Sequence, residues 1–357
     1  MKTIAFYLPQ FHAIPENDEW WGKGFTEWEN VKKAKPSFKG HNQPEIPYKN
    51  NYYNLLDEKI QEQQAKLAKE YGVYGFCYYH YWFEGKMLLE KPMENMLKNK
   101  KIDIPFCICW ANETWARTWD GNEKDILIKQ NYEEDENAWK EHFSYLLKFF
   151  KDDRYILKDN KPVVIIYKPH LITNEKKLVK YWNRLAIEAG FDGIYIGYQH
   201  HSAFDHELDE FDFAIEFEPF YTVYECQKNN IALESLKDKI KKKILKLPTK
   251  YDYDYIWEKI IERKPTDLKH CPGAFPAWDN TPRKGKNAIV FWEPSPQKFK
   301  NYLIRRIKSA NDNYESEFLF LNAWNEWAEG AHLEPSEKDG LGYLEAVKEA
   351  LKQTGEF

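Results

Sequence analysis

At 357 residues the chain has room for one large domain or two ordinary ones, and its 43% hydrophobic content allows a sizeable core. A formal net charge of −5 gives no global reason to expect a nucleic-acid partner, and no window is apolar for long enough to span a membrane. Aromatic residues make up 17%, with 14 Trp and 24 Tyr, more amphipathic rings than a core needs and a composition that suits a carbohydrate-binding cleft.

In chain order, residues 3–9 (TIAFYLP) read as a first strand that runs into Gln10 and His12. The opening apolar run is too short for a signal core and no small-residue cleavage site follows it, so a cytoplasmic location is expected. A long loop comes next, carrying Trp20, Trp21, Phe25, Trp28 and Phe38; loops of that length in a compact domain are usually functional. Residues 55–71 form a helical pattern stopped by Gly72, and residues 73–79 a second strand that ends in His80, Tyr81, Trp82 and Phe83. A helix over 91–99 leads to a third strand over 105–110, which ends in Ala-Asn-Glu-Thr-Trp at 111–115. Further helices are expected over 134–151, 175–189, 235–245, 255–262, 297–310 and 342–353. Strands four to eight are expected over 162–167, 194–198, 211–217, 273–278 and 318–323, the seventh being the weakest pattern.

Eight strand–helix alternations predict a (β/α)₈ TIM barrel in which residues 1–357 form a single domain with long βα loops. A doubly wound open sheet is the runner-up, but no Gly-x-Gly-x-x-Gly follows the first strand and no phosphate loop follows any strand. A barrel gathers its chemistry at the C-terminal strand ends. Those ends carry Gln10 and His12, His80 and Trp82, Asn112 and Glu113, Lys168 and His170, His200, Glu218, Trp278 and Asp279, then Asn325, Glu326 and Glu329.

The eighth of these clusters carries most of the chemistry. Phe318–Leu321 is a short apolar run of the doubly buried kind, and Trp324 and Trp327 then flank Asn325 and Glu326, with Glu329 three residues on and Gly330 behind it. On a continuing strand two carboxylates three apart would face opposite ways; on a turn they can converge. Two convergent carboxylates walled by indoles, one protonated and one ionised, are what cleavage of a sugar–sugar bond needs. Glu326 and Glu329 are therefore the candidate catalytic pair, with Trp324 and Asn325 as substrate contacts. In Trp110–Trp115 the same Asn-Glu pair recurs between indoles, so Asn112 and Glu113 are candidates for gripping hydroxyls and Trp110 or Trp115 for stacking. Glu216 and Glu218 share one side of the sixth strand: Glu216 needs a buried partner, and Glu218 at the barrel mouth is the better hydroxyl ligand.

No metal or cofactor is expected: the histidines come from separate loops, no His-Glu-x-x-His is present, and no Gly-x-Ser-x-Gly supports a serine nucleophile. Cys77, Cys107, Cys109, Cys226 and Cys271 are odd in number and lack metal-ligand spacing, which fits a reducing compartment. The basic run 237–250 reads as a solvated helix face, with peripheral contact to an anionic membrane as the minority alternative.

The segments IAFYLPQFH, WWGKGFTEWENVKKAKPSFKGHNQP (20–44), YGFCYYHYWF (74–83), WANETW (110–115) and AWNEWAEGAHLEP (323–335) resemble the WbsX-like family, described as a glycosyltransferase family of polysaccharide biosynthesis and as glycoside hydrolase family 99-like. The resemblance spans essentially the whole chain. The Asn-Glu-Trp-x-Glu-Gly core also looks like that of the family 99 endo-α-mannosidases, which are retaining (β/α)₈ enzymes. That resemblance implies that Glu326 deprotonates the sugar 2-hydroxyl, which closes on the anomeric carbon as a 1,2-anhydro sugar, while Glu329 protonates the leaving oxygen and then activates the incoming water or sugar. Tyr7, by its place in the first strand, is expected to line the same subsite, and His80, at the end of the second strand, is a further candidate substrate contact. The partner so expected is an oligosaccharide or polysaccharide. Three functions stay open at this point: a retaining hydrolase, a glycosyltransferase or transglycosylase building O-antigen or capsule, and a non-catalytic glycan-binding barrel.

Overall fold

The computed structural model describes residues 1–117, 122–201, 208–235, 242–265 and 269–357. The strands that build the central sheet are β1 (Lys2–Tyr7), β2 (Gly75–Phe83), β3 (Phe106–Trp110), β4 (Lys161–Ile166), β5 (Tyr195–His200), β6 (Phe213–Glu216), β7 and β8 (Phe318–Leu321). β7 is split by Pro272 into His270–Cys271 and Gly273–Ala274. Its first half pairs with β6 and its second with β8, so the sheet runs β7, β6, β5, β4, β3, β2, β1, β8 and back to β7. Neighbours along this path are all parallel. The barrel thus closes through a strand that changes partner at a proline, a residue with no N–H to give to a ladder but with a carbonyl that accepts from Phe320 N at 3.0 Å.

Burial of both faces explains the strand sequences. β2 (GFCYYHYWF) and β8 (FLFL) are buried at every position, as parallel strands under a helix layer are. The period of two then sorts neighbours. Phe6 points into the barrel, where its ring meets Tyr79, Phe217 and Phe320 at 5.5–5.6 Å. Tyr7 points outward, packs on Phe76 and Tyr78, and donates to Gln64 Oε1 at 2.7 Å on the helix Glu58–Glu70. Several helices start where a side-chain oxygen accepts a free backbone N–H group: Asp57 before Glu58–Glu70, Asp135 before Glu136–Phe150, Asn174 before Glu175–Glu188 and Ser295 before Pro296–Asn313.

The structure corrects the sequence reading in several places. β7 is shorter than the expected strand over 273–278 and begins earlier, because Pro272 and the turn after Ala274 interrupt it. The long loop after β1 contains the helices Pro15–Trp21 and Glu27–Lys33, and a helix at Phe220–Lys228 was not anticipated. Residues 236–241, which belong to the expected helix over 235–245 and to the basic run 237–250, lie outside the described residues, while residues 242–245 are helical as expected. Further on, Thr249–Asp252 pairs in parallel with Ile289–Trp292 beside the barrel. Among the described residues no helix is long and apolar enough to cross a membrane.

Glu216 faces the helix layer and is fully buried. It accepts from Arg306 Nη2 (2.6 Å), Arg263 Nη1 (2.8 Å) and Tyr314 Oη (2.9 Å), with His270 Nδ1 at 3.1 Å. The backbone is packed as closely there: a β-carbon at Gly273 would stand 1.9 Å from the Glu216 carbonyl oxygen. Gly273→Ala should therefore force β6 and β7 apart and lower stability by at least about 1–3 kcal/mol, read as a fall in the thermal midpoint. An unchanged midpoint would show that the two strands are not in that contact.

Candidate active site

Beyond Leu321 the chain leaves β8 and folds a short antiparallel pair, Asn325–Glu326 with Ala331–His332, joined by the 3₁₀ turn Trp327–Glu329 and by Gly330. Gly330 has φ +59°, and a β-carbon there would lie 2.9 Å from Asp279 N, so only glycine both turns this way and lets the two loops touch. Asp279 N donates to Glu329 O at 2.7 Å across that contact. The turn aims Glu326 and Glu329 the same way, into a cleft of about 500 Å³ at the C-terminal end of the barrel.

Glu334 fixes the turn from below. Its carboxylate accepts from Trp324 Nε1 (3.1 Å), Trp327 Nε1 (2.7 Å), Gln64 Nε2 (2.7 Å) and Tyr53 Oη (2.8 Å). Both indoles are therefore turned into the protein, away from the cleft. Asn325 is likewise committed: its side chain accepts from Leu8 N at 2.7 Å and donates to Leu8 O at 3.0 Å, stapling the turn to the end of β1.

One guanidinium holds both candidate catalytic carboxylates. Arg283, on the short helix Thr281–Lys284 after β7, places Nη1 2.7 Å from Glu329 Oε1 and donates from Nη2 to Glu326 Oε2 at 3.1 Å. Its Nε and Nη2 also donate to Glu27 Oε2, at 3.0 and 2.8 Å, and Glu27 accepts from Asn30 Nδ2 at 3.2 Å through its other oxygen. Burial pushes the Glu326 carboxyl up to about 8, against the pull of Arg283 and helped by Glu329 and Glu27. Burial also raises Glu329, again opposed by Arg283 and helped by Glu27.

The other expected site residues divide cleanly. Glu113, Trp115 and Trp278 line the cleft with the carboxylate pair. Glu113 is ion-paired with Lys168, Trp115 packs edge-on against Tyr81 at 5.0 Å, and Trp278 meets Phe220 at 4.7 Å. The rest stand behind the wall. Tyr7 faces Gln64 and not the cleft, because its register on β1 is the outward one. His80 lies in the helix layer with its Nε2 3.0 Å from His142 Nε2, and burial pushes it down to about 3. Trp110 donates to Trp82 O at 3.3 Å and packs on His142. Asn112 bridges strand ends, accepting from Lys168 N at 2.7 Å and donating to Lys168 O at 2.8 Å. Glu218 is buried against Arg263 (2.7 Å) and Thr222 (2.9 Å). These polar side chains find their partners inside the protein, which is the structural alternative to a ligand.

Sequence reasoning missed Arg283 and Glu27. Arg283 lies in TPRK, a stretch with no distinguishing pattern, and Glu27 lies in the long aromatic loop, where no spacing singles it out. It also missed Tyr79, Tyr81 and Tyr167, which wall the cleft. Among the described residues no cluster of three or more His, Cys, Asp or Glu is placed to hold a metal ion.

A model of the family described as glycosyltransferase WbsX matches residues 3–347. An uncharacterized protein, WxcX, from Xanthomonas campestris pv. campestris strain B100 is 36% identical over 353 residues, which is 98% of this chain and 49% of that protein. The chain thus spans about half the length of the curated relatives it matches. Among solved structures, a GH99 endo-alpha-mannosidase from Bacteroides thetaiotaomicron superposes with a TM-score of 0.58 at 13% identity, covering 99% of this chain and 97% of that one. A glycoside hydrolase-like protein gives a TM-score of 0.59 at 15% identity, covering 98% and 93%. At these identities the likeness is one of fold.

Proposed function

Because the chain belongs to the glycosyltransferase WbsX family, we propose that it is a carbohydrate-active enzyme that cleaves or transfers a glycosidic bond with retention, using Glu326 and Glu329. The observation that carries this reading is the pair itself: a buried and a half-buried carboxylate on one guanidinium, in a cleft walled by Trp115, Trp278, Tyr79, Tyr81 and Tyr167. Aromatic faces suit the apolar faces of sugar rings, and carboxyls whose hold on a proton is raised by burial suit proton exchange with sugar oxygens. In this reading one carboxylate takes the proton of the sugar 2-hydroxyl as its oxygen closes on the anomeric carbon. The other gives a proton to the departing oxygen. Water or a second sugar hydroxyl then opens the anhydro ring and the two protons return, which leaves the anomeric configuration unchanged.

The cations of the cleft favour a glycan donor over a nucleotide sugar. Among the described residues the cleft's two, Lys168 and Arg283, are both already paired with carboxylates, Glu113 and the Glu27–Glu326–Glu329 group. A diphosphate would have to displace one of these and sit among like charges. Incubation with α-linked aryl glycosides and bacterial polysaccharides, followed by product mass, tests the proposal, with a Glu326→Gln/Glu329→Gln double variant as the blank. Sugar released or moved by the parent alone is the expected result. Product that forms only when a nucleotide sugar is supplied would replace the glycan donor with that one, and binding without turnover of any member would reduce the protein to a lectin.

A further inference from the structure

We infer that Arg283, anchored by Glu27, holds Glu326 and Glu329 as a unit that carries a single proton, and that in the free protein this proton rests on Glu326. The inference builds on the proposed catalytic pair but asks a different question, namely which member starts protonated. It follows from how one guanidinium is divided. Glu27 takes two of its N–H groups, from Nε and Nη2, and has Asn30 on its second oxygen. Glu329 is ion-paired with Nη1 at 2.7 Å. Glu326 is left with a 3.1 Å share of the Nη2 that Glu27 also uses.

Three anions against one cation would leave a buried excess of negative charge, so one carboxyl keeps its proton. The carboxyl that is farther from the guanidinium and more deeply buried keeps it, and that is Glu326, at 3.1 Å against 2.7 Å and with a side chain 8% exposed against 22% for Glu329. The remaining groups facing the pair do not alter this order. Lys284, beside Arg283, acts on Glu329 and so favours its anion. Tyr79, Tyr81 and Tyr167 have their phenols raised by burial and face the pair as neutral groups.

The consequence concerns timing. Neutral Glu326 with anionic Glu329 is the state reached after the 2-hydroxyl has given its proton to Glu326 and Glu329 has given its own to the leaving oxygen. The free protein is therefore set for the second half of the reaction, the opening of the anhydro ring. To begin cleavage, one proton passes from Glu326 to Glu329 when a sugar enters. No proton is taken from or lost to solvent, and the guanidinium stays bound to an anion throughout.

Carboxyl ¹³C NMR of protein labelled at glutamate, titrated without any sugar, tests the inference whatever the substrate is. Glu326 should titrate well above Glu329 in the parent, each resonance being assigned by its loss in the corresponding Gln variant. Glu27→Gln removes one anion and frees two N–H groups of Arg283. It should weaken the proton affinity of Glu326 by about tenfold or more, and Arg283→Gln should strengthen it. Glu326 titrating below Glu329, or unmoved in folded Glu27→Gln protein, would overturn the assignment. The parent titration needs no variant in the clamp, so misfolding of Arg283→Gln would not shelter the idea. Turnover that fails while the titrations behave as stated would sink the proposed reaction and leave the clamp standing.

Discussion

Glu329→Gln should lower turnover by about 10²–10⁴-fold on a substrate with a poor leaving group, the usual worth of a positioned general acid. The substitution keeps the shape of the side chain and removes its ability to carry a proton. The turn that bears it is held by other residues: Gly330 supplies the backbone bend, Asp279 N bonds the Glu329 carbonyl, and Glu334 fixes Trp327 beneath. Loss of fold is thus not the expected route to loss of rate. Leaving-group dependence separates the two. A dinitrophenyl glycoside departs without protonation, so cleavage of that substrate by Glu329→Gln should fall far less than cleavage of an alkyl glycoside or a polysaccharide. Glu326→Gln should show no such rescue, because the 2-hydroxyl needs its base whatever leaves. Equal losses on both substrates in Glu329→Gln would remove the acid role, and parent-like rates would remove the residue from the mechanism.

The largest stability effect is expected far from the cleft. Glu216→Ala should destabilise the protein by about 3–5 kcal/mol, because it strips the shared anion from buried Arg263 and Arg306 and leaves their charges facing each other. Glu216→Gln keeps the volume and should recover only part of the loss. Burial alone would raise the Glu216 carboxyl, but Arg263, Arg306 and His270 outweigh it and hold the group below the usual carboxylate range. A carboxyl depressed in the folded state adds stability above its unfolded value, about 4.3, and that contribution disappears as the pH falls below it toward the folded value. Denaturant midpoints across that acid range should accordingly fall more steeply for the parent than for Glu216→Ala. Parallel pH curves for the two proteins would contradict this account.

The barrel was legible because its strands are short apolar runs at regular spacing, each followed by a helical pattern, and those signals survive without tertiary information. Convergence of Glu326 and Glu329 was legible for a local reason: a strand end, three residues and a glycine make a turn. What the sequence did not disclose was direction. Trp324, Asn325, Asn112 and Glu218 sit at strand ends as ligands would, yet each is bonded to a partner within the protein: Glu334, Leu8, the Lys168 backbone and Arg263 respectively. Register separated Phe6 from Tyr7 in the same way, one residue apart and on opposite faces. Arg283 was invisible because its meaning comes from residues 27, 326 and 329, which are distant in sequence and carried by different loops.

Glu334 takes no part in the proposed chemistry, yet it decides how much a substrate must do on arrival. With four donors converging on one buried carboxylate, the indoles of Trp324 and Trp327 have a single orientation in which every polar atom of the group is satisfied. The ordering of the turn is thereby settled when the chain folds. An incoming glycan meets carboxylates already in place and loses none of its binding energy to arranging them. Replacing Glu334 would return that freedom to the loop. The expected mark is a slower reaction with unaltered leaving-group dependence, since the proton donor would be intact and only its address uncertain.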